Sequence, residues 1–200
     1  MKTTTKTHSN MTTTATKVHH LGLRSALAIT LGAAALAHPM ALQAEEAEPI
    51  LNSTFEQSTN NHPEQWKRVG DWQVLTEDET RFARLVKEGF GNAQFLEQIV
   101  EIPKGWTNVA VTARVRVSEL RGQQQGGFWQ AAGQFQNAAG EPVGEGFIVK
   151  RNNNTEGWES VKTETTAVPA GAVQVRVVGG IWIGEGTLEF ASLNLVNEGE

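Results

Sequence analysis

The chain has 200 residues, with 17 Lys and Arg against 22 Asp and Glu, and it contains no cysteine. All 22 acids but only 13 of the cations lie in residues 45–200, so that part carries a formal charge of −9. This charge disfavours nucleic acid and anionic membrane surfaces as partners. The lack of cysteine excludes a disulfide framework and thiolate chemistry. The length of residues 45–200 suits one domain with a single core.

Residues 1–44 have the pattern of a secretory signal peptide. They contain four cations and no acid, and the apolar run Ser25–Ala37 is followed by a Pro and by small residues before Glu45. A basic start, a short apolar segment and a small-residue cleavage site are typical of secretion. The apolar run is too short to span a bilayer, which needs about 20 residues.

We therefore predict a secreted or periplasmic product with no membrane-spanning segment after cleavage. Cleavage is expected after Ala44, with Ala37 as the alternative, and translation starts at Met1 or at Met11. A transit peptide is the competing interpretation, because the segment is rich in Thr and lacks acids.

From Ile50 onward, short strands and frequent turns replace any helical pattern, and residues 57–65 form a polar surface loop. Many short strands of this kind predict an all-β sandwich or barrel. The predicted strands, in chain order, are Ile50–Phe55, Trp72–Leu75, Phe82–Lys87, Phe95–Ile102, Val109–Val117, Gly127–Gln136, Gly146–Lys150, Glu159–Thr165, Val173–Ile183 and Thr187–Leu195.

Two of these strands alternate with a clear period of two. In Val109–Val117, the valines and Ala113 share one face, opposite two arginines. In Val173–Ile183, one face has a Gln, an Arg and a Trp. The other face has the apolar residues Val173, Val175, Val177, Ile181 and Ile183. Such alternation is typical of half-buried strands in antiparallel sheets. The Gly179-Gly180 pair suggests a bulge or a close backbone approach.

Three segments carry a resemblance to a known family. A strand ending in Phe55-Glu56 precedes a Pro and a Trp, and a Gln-bearing strand runs through Gln98–Gly105 into the long alternating strand. The closing third, Thr155–Val196, has a Trp-bearing strand, a Pro-Ala-Gly turn, an alternating strand and a Gly-rich break. In this order the chain resembles the jelly-roll carbohydrate-binding modules of families four, nine and twenty-two, which are galactose-binding-domain-like.

The resemblance spans nearly all of residues 50–197 and implies an antiparallel two-sheet β-sandwich of the jelly-roll type. It also implies a non-catalytic protein that binds a polysaccharide or an oligosaccharide. Modules of this group often hold a structural calcium with acids from the first strand and an Asp in the last. Here Glu56 is present, but Ala191 stands where that Asp is expected. We therefore predict no cofactor, with a structural calcium as the open alternative.

Exposed tryptophans are the first candidates for sugar binding, because a sugar ring presents a flat face of C–H groups to an aromatic plane. Trp182 has the outward parity of Gln174 and Arg176 unless the glycine pair resets it and puts Trp182 in the core. Trp129 is the second candidate, although an inward Phe135 would place it inward as well.

Polar side chains would then read the sugar hydroxyls. The residues predicted for this role, together with the two tryptophans, are Gln98, Arg114, Arg116, Gln130, Gln134 and Arg176. Several have an ordinary alternative: Gln98 would contact backbone, Arg114 and Arg116 would pair with Glu on adjacent strands, and the glutamines would be solvated sheet surface. Of the other tryptophans, Trp158 is predicted in the core, and Trp66, Trp72 and Trp106 are predicted to pack on it or cap its edge.

Catalytic and metal-binding signals are weak in residues 45–200. His62 is the single histidine there, which excludes a histidine cluster and the Ser/His/Asp and Cys/His arrangements. Glu141, Glu145 and Glu185 flank Gly-rich turns and leave a small glycoside hydrolase or lyase as an alternative. The other alternative is a structural or adhesive envelope protein without a sugar site, which would associate through a strand edge or an apolar patch.

Overall fold

Thirteen β-strands and their connecting turns make up residues 49–122 and 127–199, the part that the computed structural model describes. The strands are β1 Ser58–Thr59, β2 His62–Pro63, β3 Lys67–Val69, β4 Trp72–Glu77, β5 Thr80–Lys87, β6 Gln94–Glu101, β7 Asn108–Arg121, β8 Phe128–Gln136, β9 Phe147–Arg151, β10 Glu159–Lys162, β11 Thr166–Ala167, β12 Gln174–Ile183 and β13 Glu185–Asn197.

Two antiparallel sheets pack face to face. One has six strands in the order β10-β7-β13-β5-β4, with β11 added to β7, and the other has five in the order β3-β6-β12-β8-β9. The short pair β1-β2 forms a separate hairpin beside β4, where Asn61 O accepts from Val74 N. The predicted all-β two-sheet sandwich is confirmed. No helix in the described ranges has the length and apolar character needed to cross a membrane.

The core lies between the sheets and follows the predicted alternation. On β7, the valines and Ala113 are buried, whereas Arg114 is exposed. Large side chains from both sheets fill the space, and two of them from the six-stranded sheet, Trp72 and Phe190, stack at a ring-centroid distance of 6.1 Å. Full burial of such side chains contributes roughly 1.5–3 kcal/mol each, so this interface supplies most of the driving force for folding.

The first predicted strand, Ile50–Phe55, is wrong, because these residues form turns. Asn52 and Phe55 have positive φ angles of 56° and 61°, which are incompatible with an extended strand. The segment nevertheless covers the core, since Ile50 and Phe55 are buried. The loop predicted at residues 57–65 contains the β1-β2 hairpin, turned by two asparagines that both have positive φ.

The glycine pair on β12 produces close backbone approach and no bulge. A Cβ on Gly179 would collide with the Phe190 ring, and one on Gly180 would collide with the backbone of β6. The register shift lies two residues later, between Ile181 and Ile183. The prediction that Val173 and Ile183 face the core is wrong, because both are 46% exposed: Val173 precedes the strand and Ile183 follows the shift.

The predicted signal peptide, with its alternative start and cleavage points, lies outside the described residues. The same is true of residues 123–126, which precede β8.

Candidate functional site

A groove crosses the outer face of the five-stranded sheet, and we call it the Trp182 groove. It has a volume of about 310 Å³. Its side chains come mainly from β8 and β12, with a contribution from β9. The residues that line it are Gln130, Ala132, Gly133, Gln134, Gly146, Phe147, Ile148, Arg176, Val178 and Trp182.

Strand register brings these side chains together. Gln134 lies opposite Arg176, and Ala132 lies opposite Val178. Since side chains on a strand alternate between faces, the outward positions of β8 and β12 form a grid with a small apolar floor. Polar side chains and the indole of Trp182 surround that floor, so the groove combines an aromatic wall with amide and guanidinium groups.

Trp182 is the aromatic wall of the groove. It is half-buried, and its ring stacks on Phe95 of β6 at a centroid distance of 5.7 Å and an interplanar angle of 15°. Trp182 occupies the shifted position of β12, between the paired residues Ile181 and Ile183. Trp182 lines the same groove as Arg176 and Val178, so it lies on the outer face that strand parity predicts for it.

Arg176 is held in the groove by a buried carboxylate. Its Nε donates to Glu97 Oε2 at 2.5 Å, and Lys67 Nζ donates to Glu97 Oε1 at 2.9 Å. Glu97 is 5% exposed. Burial alone would raise the pKa of Glu97, but the hydrogen bonds and positive charges of Lys67 and Arg176 outweigh it and lower that pKa. The three side chains together therefore fix the direction of the Arg176 guanidinium.

The glutamines supply the neutral donors and acceptors. Gln130 and Gln134 are half-buried, and Gln134 Nε2 donates to the neighbouring Phe135 O at 3.2 Å. The Gln130 amide has no side-chain hydrogen bond within the described ranges, so it is available to a ligand. Further along the same face, Gln174 Nε2 donates to Gln136 Oε1 at 3.2 Å.

Two predicted site residues belong to the interior. Trp129 is fully buried, and its Nε1 donates to Asn153 O at 3.3 Å, so it is a core residue. It shares the inward parity of Phe135, which is also fully buried. Gln98 is buried too, and its amide pairs with the N–H and C=O of Leu51. The Gln98 side chain therefore satisfies the backbone N–H and C=O of Leu51, which have no strand partner in the turn at residues 50–55.

Arg114 and Arg116 lie on the outer face of the other sheet and do not reach the Trp182 groove. Arg116 pairs with Glu77 and Glu189, and its hydrogen bond to Glu189 raises its pKa above the ordinary value. The Arg114 guanidinium lies 5.5 Å from the ring centroid of Trp158.

The prediction that Trp158 lies in the core is wrong. Trp158 is half-buried on the outer face of the six-stranded sheet, against Phe82 at 5.4 Å. Of the other three tryptophans, Trp66, Trp72 and Trp106 are buried as predicted.

Phe95, Glu97 and Ile148 are the site residues that the sequence reading missed. Phe95 and Glu97 alternate on β6 with buried Leu96 and with Gln98, so strand parity alone assigns them to the outer face. Ile148 follows the buried Phe147 on β9 and is 47% exposed. Its sequence signal is weaker, because β9 is short.

Two oxygens close to Glu56 are already engaged by an arginine. Arg81 donates to Phe55 O at 2.9 Å and to Ser58 Oγ at 2.6 Å, so a guanidinium already takes the oxygens next to Glu56. Calcium needs six to eight oxygen ligands, and no group of three or more His, Asp or Glu in the described residues is placed to hold a metal. Calcium stays an expectation from the resemblance.

No protein-family model and no curated protein matches the chain. Several solved structures share its fold at low identity. A family 16 carbohydrate-binding module is 15% identical with a TM-score of 0.55, and the match covers 74% of this chain and 99% of that one. The structure of TmCBM61 in complex with β-1,4-galactotriose is 16% identical with a TM-score of 0.51, covering 76% and 99%.

A third match is the enzymatically active domain of the bacteriophage CBA120 tailspike protein 4. It is 12% identical with a TM-score of 0.54, and the match covers 74% of this chain. This chain spans about a fifth of the tailspike domain, since 21% of it is covered. Matches at these identities establish the fold, and three matches that cover 99% of the other chain are named as carbohydrate-binding modules. The chain therefore has the jelly-roll β-sandwich fold of the carbohydrate-binding modules.

Proposed function

We propose that this protein is a secreted or periplasmic, non-catalytic protein that binds a poly- or oligosaccharide in the Trp182 groove. The observation that carries the proposal is the half-buried indole of Trp182, stacked on Phe95 at one wall of a groove with amide side chains. Aromatic planes and precisely placed amides are what a sugar ring and its hydroxyl rim require.

The charge of the groove favours a neutral sugar. Arg176 is the cation that lines it, and its guanidinium is already paired with the buried Glu97, which Lys67 shares. The remaining polar lining consists of the amides of Gln130 and Gln134. A uronate in this groove would meet a guanidinium that is already paired, so a neutral hexose chain is the better match. The TmCBM61 structure contains β-1,4-galactotriose, which supports that trisaccharide as the first probe.

The test is a calorimetric titration of the purified protein with β-1,4-galactotriose and with a panel of neutral oligosaccharides. We expect Trp182→Ala to weaken the binding of the positive ligand by about tenfold or more, because a central aromatic contact is worth at least about 1.4 kcal/mol. Ile183→Ala is the matched control, since Ile183 is the neighbouring large side chain and lies outside the groove.

Equal affinities of wild type and Trp182→Ala would contradict the proposal. No binding by the wild type across the panel, combined with concentration-dependent association on a sizing column, would favour the structural or adhesive alternative. Turnover of any oligosaccharide would favour the glycoside hydrolase or lyase alternative.

A further inference from the structure

A second groove lies on the outer face of the six-stranded sheet, and we call it the Arg114 groove. It has a volume of about 270 Å³ and crosses β10, β7 and β13. Its lining residues are Thr112, Ala113, Arg114, Ser160, Val161, Lys162 and Ser192. None of these residues lines the Trp182 groove, which is built on the other sheet.

Among the described residues, Arg114 is the one unpaired guanidinium in the middle of this face. Its neighbours on the face are paired: Arg84 Nε donates to Glu189 Oε1 at 2.6 Å, and Arg116 pairs with Glu77 and Glu189. Arg114 is exposed and makes no ion pair or hydrogen bond through its side chain within residues 49–122 and 127–199. Its charge therefore remains available to an anion from outside.

The surroundings of Arg114 hold it in place and add donors. Its guanidinium lies 5.5 Å from the Trp158 ring centroid, a distance at which cation and ring attract each other. Strand register places Ser160 of β10 opposite Arg114 on one side and Ser192 of β13 opposite it on the other. Within the described ranges, neither serine hydroxyl makes a side-chain hydrogen bond.

The resulting donor set suits an oxyanion. Guanidinium groups bind carboxylates and sulfate-like groups through two parallel N–H donors, and a hydroxyl on each side adds an O–H donor. Lys162 lies at the end of the groove, where its Nζ is paired with Glu198 Oε2 at 3.0 Å, so Arg114 supplies the unpaired positive charge of the groove. The Trp158 ring lies next to the groove lining and contacts both the Arg114 and the Arg116 guanidinium, the latter at 4.7 Å.

We propose that the Arg114 groove binds the oxyanion group of an acidic sugar, a uronate carboxylate or a sulfate ester, with Arg114 as the principal contact. This goes beyond the proposed function, because a second ligand chemistry is assigned to the opposite sheet. The chain as a whole repels a long polyanion, since residues 45–200 carry a net charge of −9. A short acidic oligosaccharide is therefore a better test ligand than a long polyanion.

The experiment titrates the purified protein with tetragalacturonate, with a sulfated oligosaccharide of the same length and with inorganic sulfate, at low ionic strength where exposed charges are least screened. Tryptophan fluorescence and calorimetry report binding. We expect at least one acidic oligosaccharide to bind more tightly than sulfate. Arg114→Gln should weaken that binding about tenfold or more, the size expected for a hydrogen bond to a charged group.

Two further variants keep the test decisive. Ser160→Glu places a carboxylate in register with Arg114 and should weaken acidic-ligand binding by self-pairing while retaining the fold. Arg68→Gln is the matched control, because Arg68 is an exposed arginine on the other sheet and outside both grooves. It should bind acidic ligands as the wild type does.

The inference is overturned if the wild type binds neither acidic oligosaccharide, if it binds inorganic sulfate as well as it binds them, or if Arg114→Gln binds unchanged. Each result leaves the neutral-sugar proposal standing, since that proposal is read out with Trp182→Ala and a neutral ligand. Conversely, a loss of neutral-sugar binding alone would not contradict the proposal for the Arg114 groove.

Discussion

At the scale of single residues, the two outer faces differ in how their arginine side chains are paired with acids. On the five-stranded sheet, the buried Glu97 pairs with Arg176, the cation that lines the groove, and with Lys67. On the six-stranded sheet, Glu189 is shared by Arg84 and Arg116 and leaves Arg114 without an acid. The same residue types therefore give an ion-paired guanidinium in the groove of one face and an unpaired guanidinium in the groove of the other, which residue composition alone does not distinguish.

Glu97→Gln tests the ion-paired carboxylate of the Trp182 groove. The folded pKa of Glu97 lies below the ordinary value of 4.5, so its ionised form stabilises the folded state above pH 4.5. That contribution is lost as the pH falls from 4.5 through the lowered pKa. We expect the variant to be about 1–2 kcal/mol less stable at neutral pH, a figure reduced because Lys67 and Arg176 are well exposed.

Urea unfolding of wild type and variant between pH 7 and pH 3 measures this effect, and the difference between the two proteins should shrink towards the acid end. Glu101→Gln is the control, since Glu101 is an exposed acid on the same strand and makes the same charge change. A stability difference that stays constant over the whole pH range would contradict the assignment.

At the scale of strands, β12 determines the Trp182 groove. Gly180 allows β12 to lie close against β6, Gly179 makes room for the Phe190 ring, and the register shift after the pair places Trp182 over Phe95. A strand without these glycines would separate from its neighbour, and the aromatic wall would lose the ring that supports it.

Gly180→Ala tests this packing. The added Cβ would meet Gln94 O and the backbone of Phe95, which cannot move aside as a flexible side chain can. We expect a loss of about 2 kcal/mol in the free energy of unfolding, together with weaker neutral-sugar binding because the Trp182–Phe95 stack is displaced. Thermal unfolding and the oligosaccharide titration measure the two effects.

Gly91→Ala is the matched control for that variant, since a Cβ there has open space and the backbone is not in the left-handed region. Unfolding of Gly180→Ala at the wild-type temperature would show that the strands tolerate a wider spacing.

Strand parity explains which parts of the site were predictable from the sequence. The alternation on β12 and β8 correctly puts Trp182, Arg176, Gln130 and Gln134 outside, because a buried face repeats every second residue. Parity says nothing about which sheet a strand joins, so it cannot separate Arg114 from the outward residues of the opposite sheet. The turn at residues 50–55 was missed because its positive φ angles and its pairing with Gln98 depend on tertiary contacts.

At the scale of the whole molecule, the two grooves lie on different sheets and share no lining residue. Because side chains on a strand alternate between faces, the residues buried between the sheets determine which residues each outer face presents. A ligand in one groove therefore contacts none of the residues that bind in the other. The two proposed chemistries, neutral and acidic, can consequently be altered one at a time by substitution.

The last prediction concerns processing of the whole chain. Full-length protein expressed in a secreting bacterium should be recovered outside the cytoplasm with Glu45 as its first residue, because the small residues before Glu45 suit signal peptidase. Among the described residues, which begin at Pro49, the first buried side chain is that of Ile50, so cleavage there removes none of the described core. Intact-mass measurement and N-terminal sequencing identify the processed end. Ala44→Lys should block cleavage at this point, and a product beginning at His38 would favour Ala37 instead. A cytoplasmic, unprocessed product would contradict the secretory assignment and with it the proposal of an extracytoplasmic glycan as ligand.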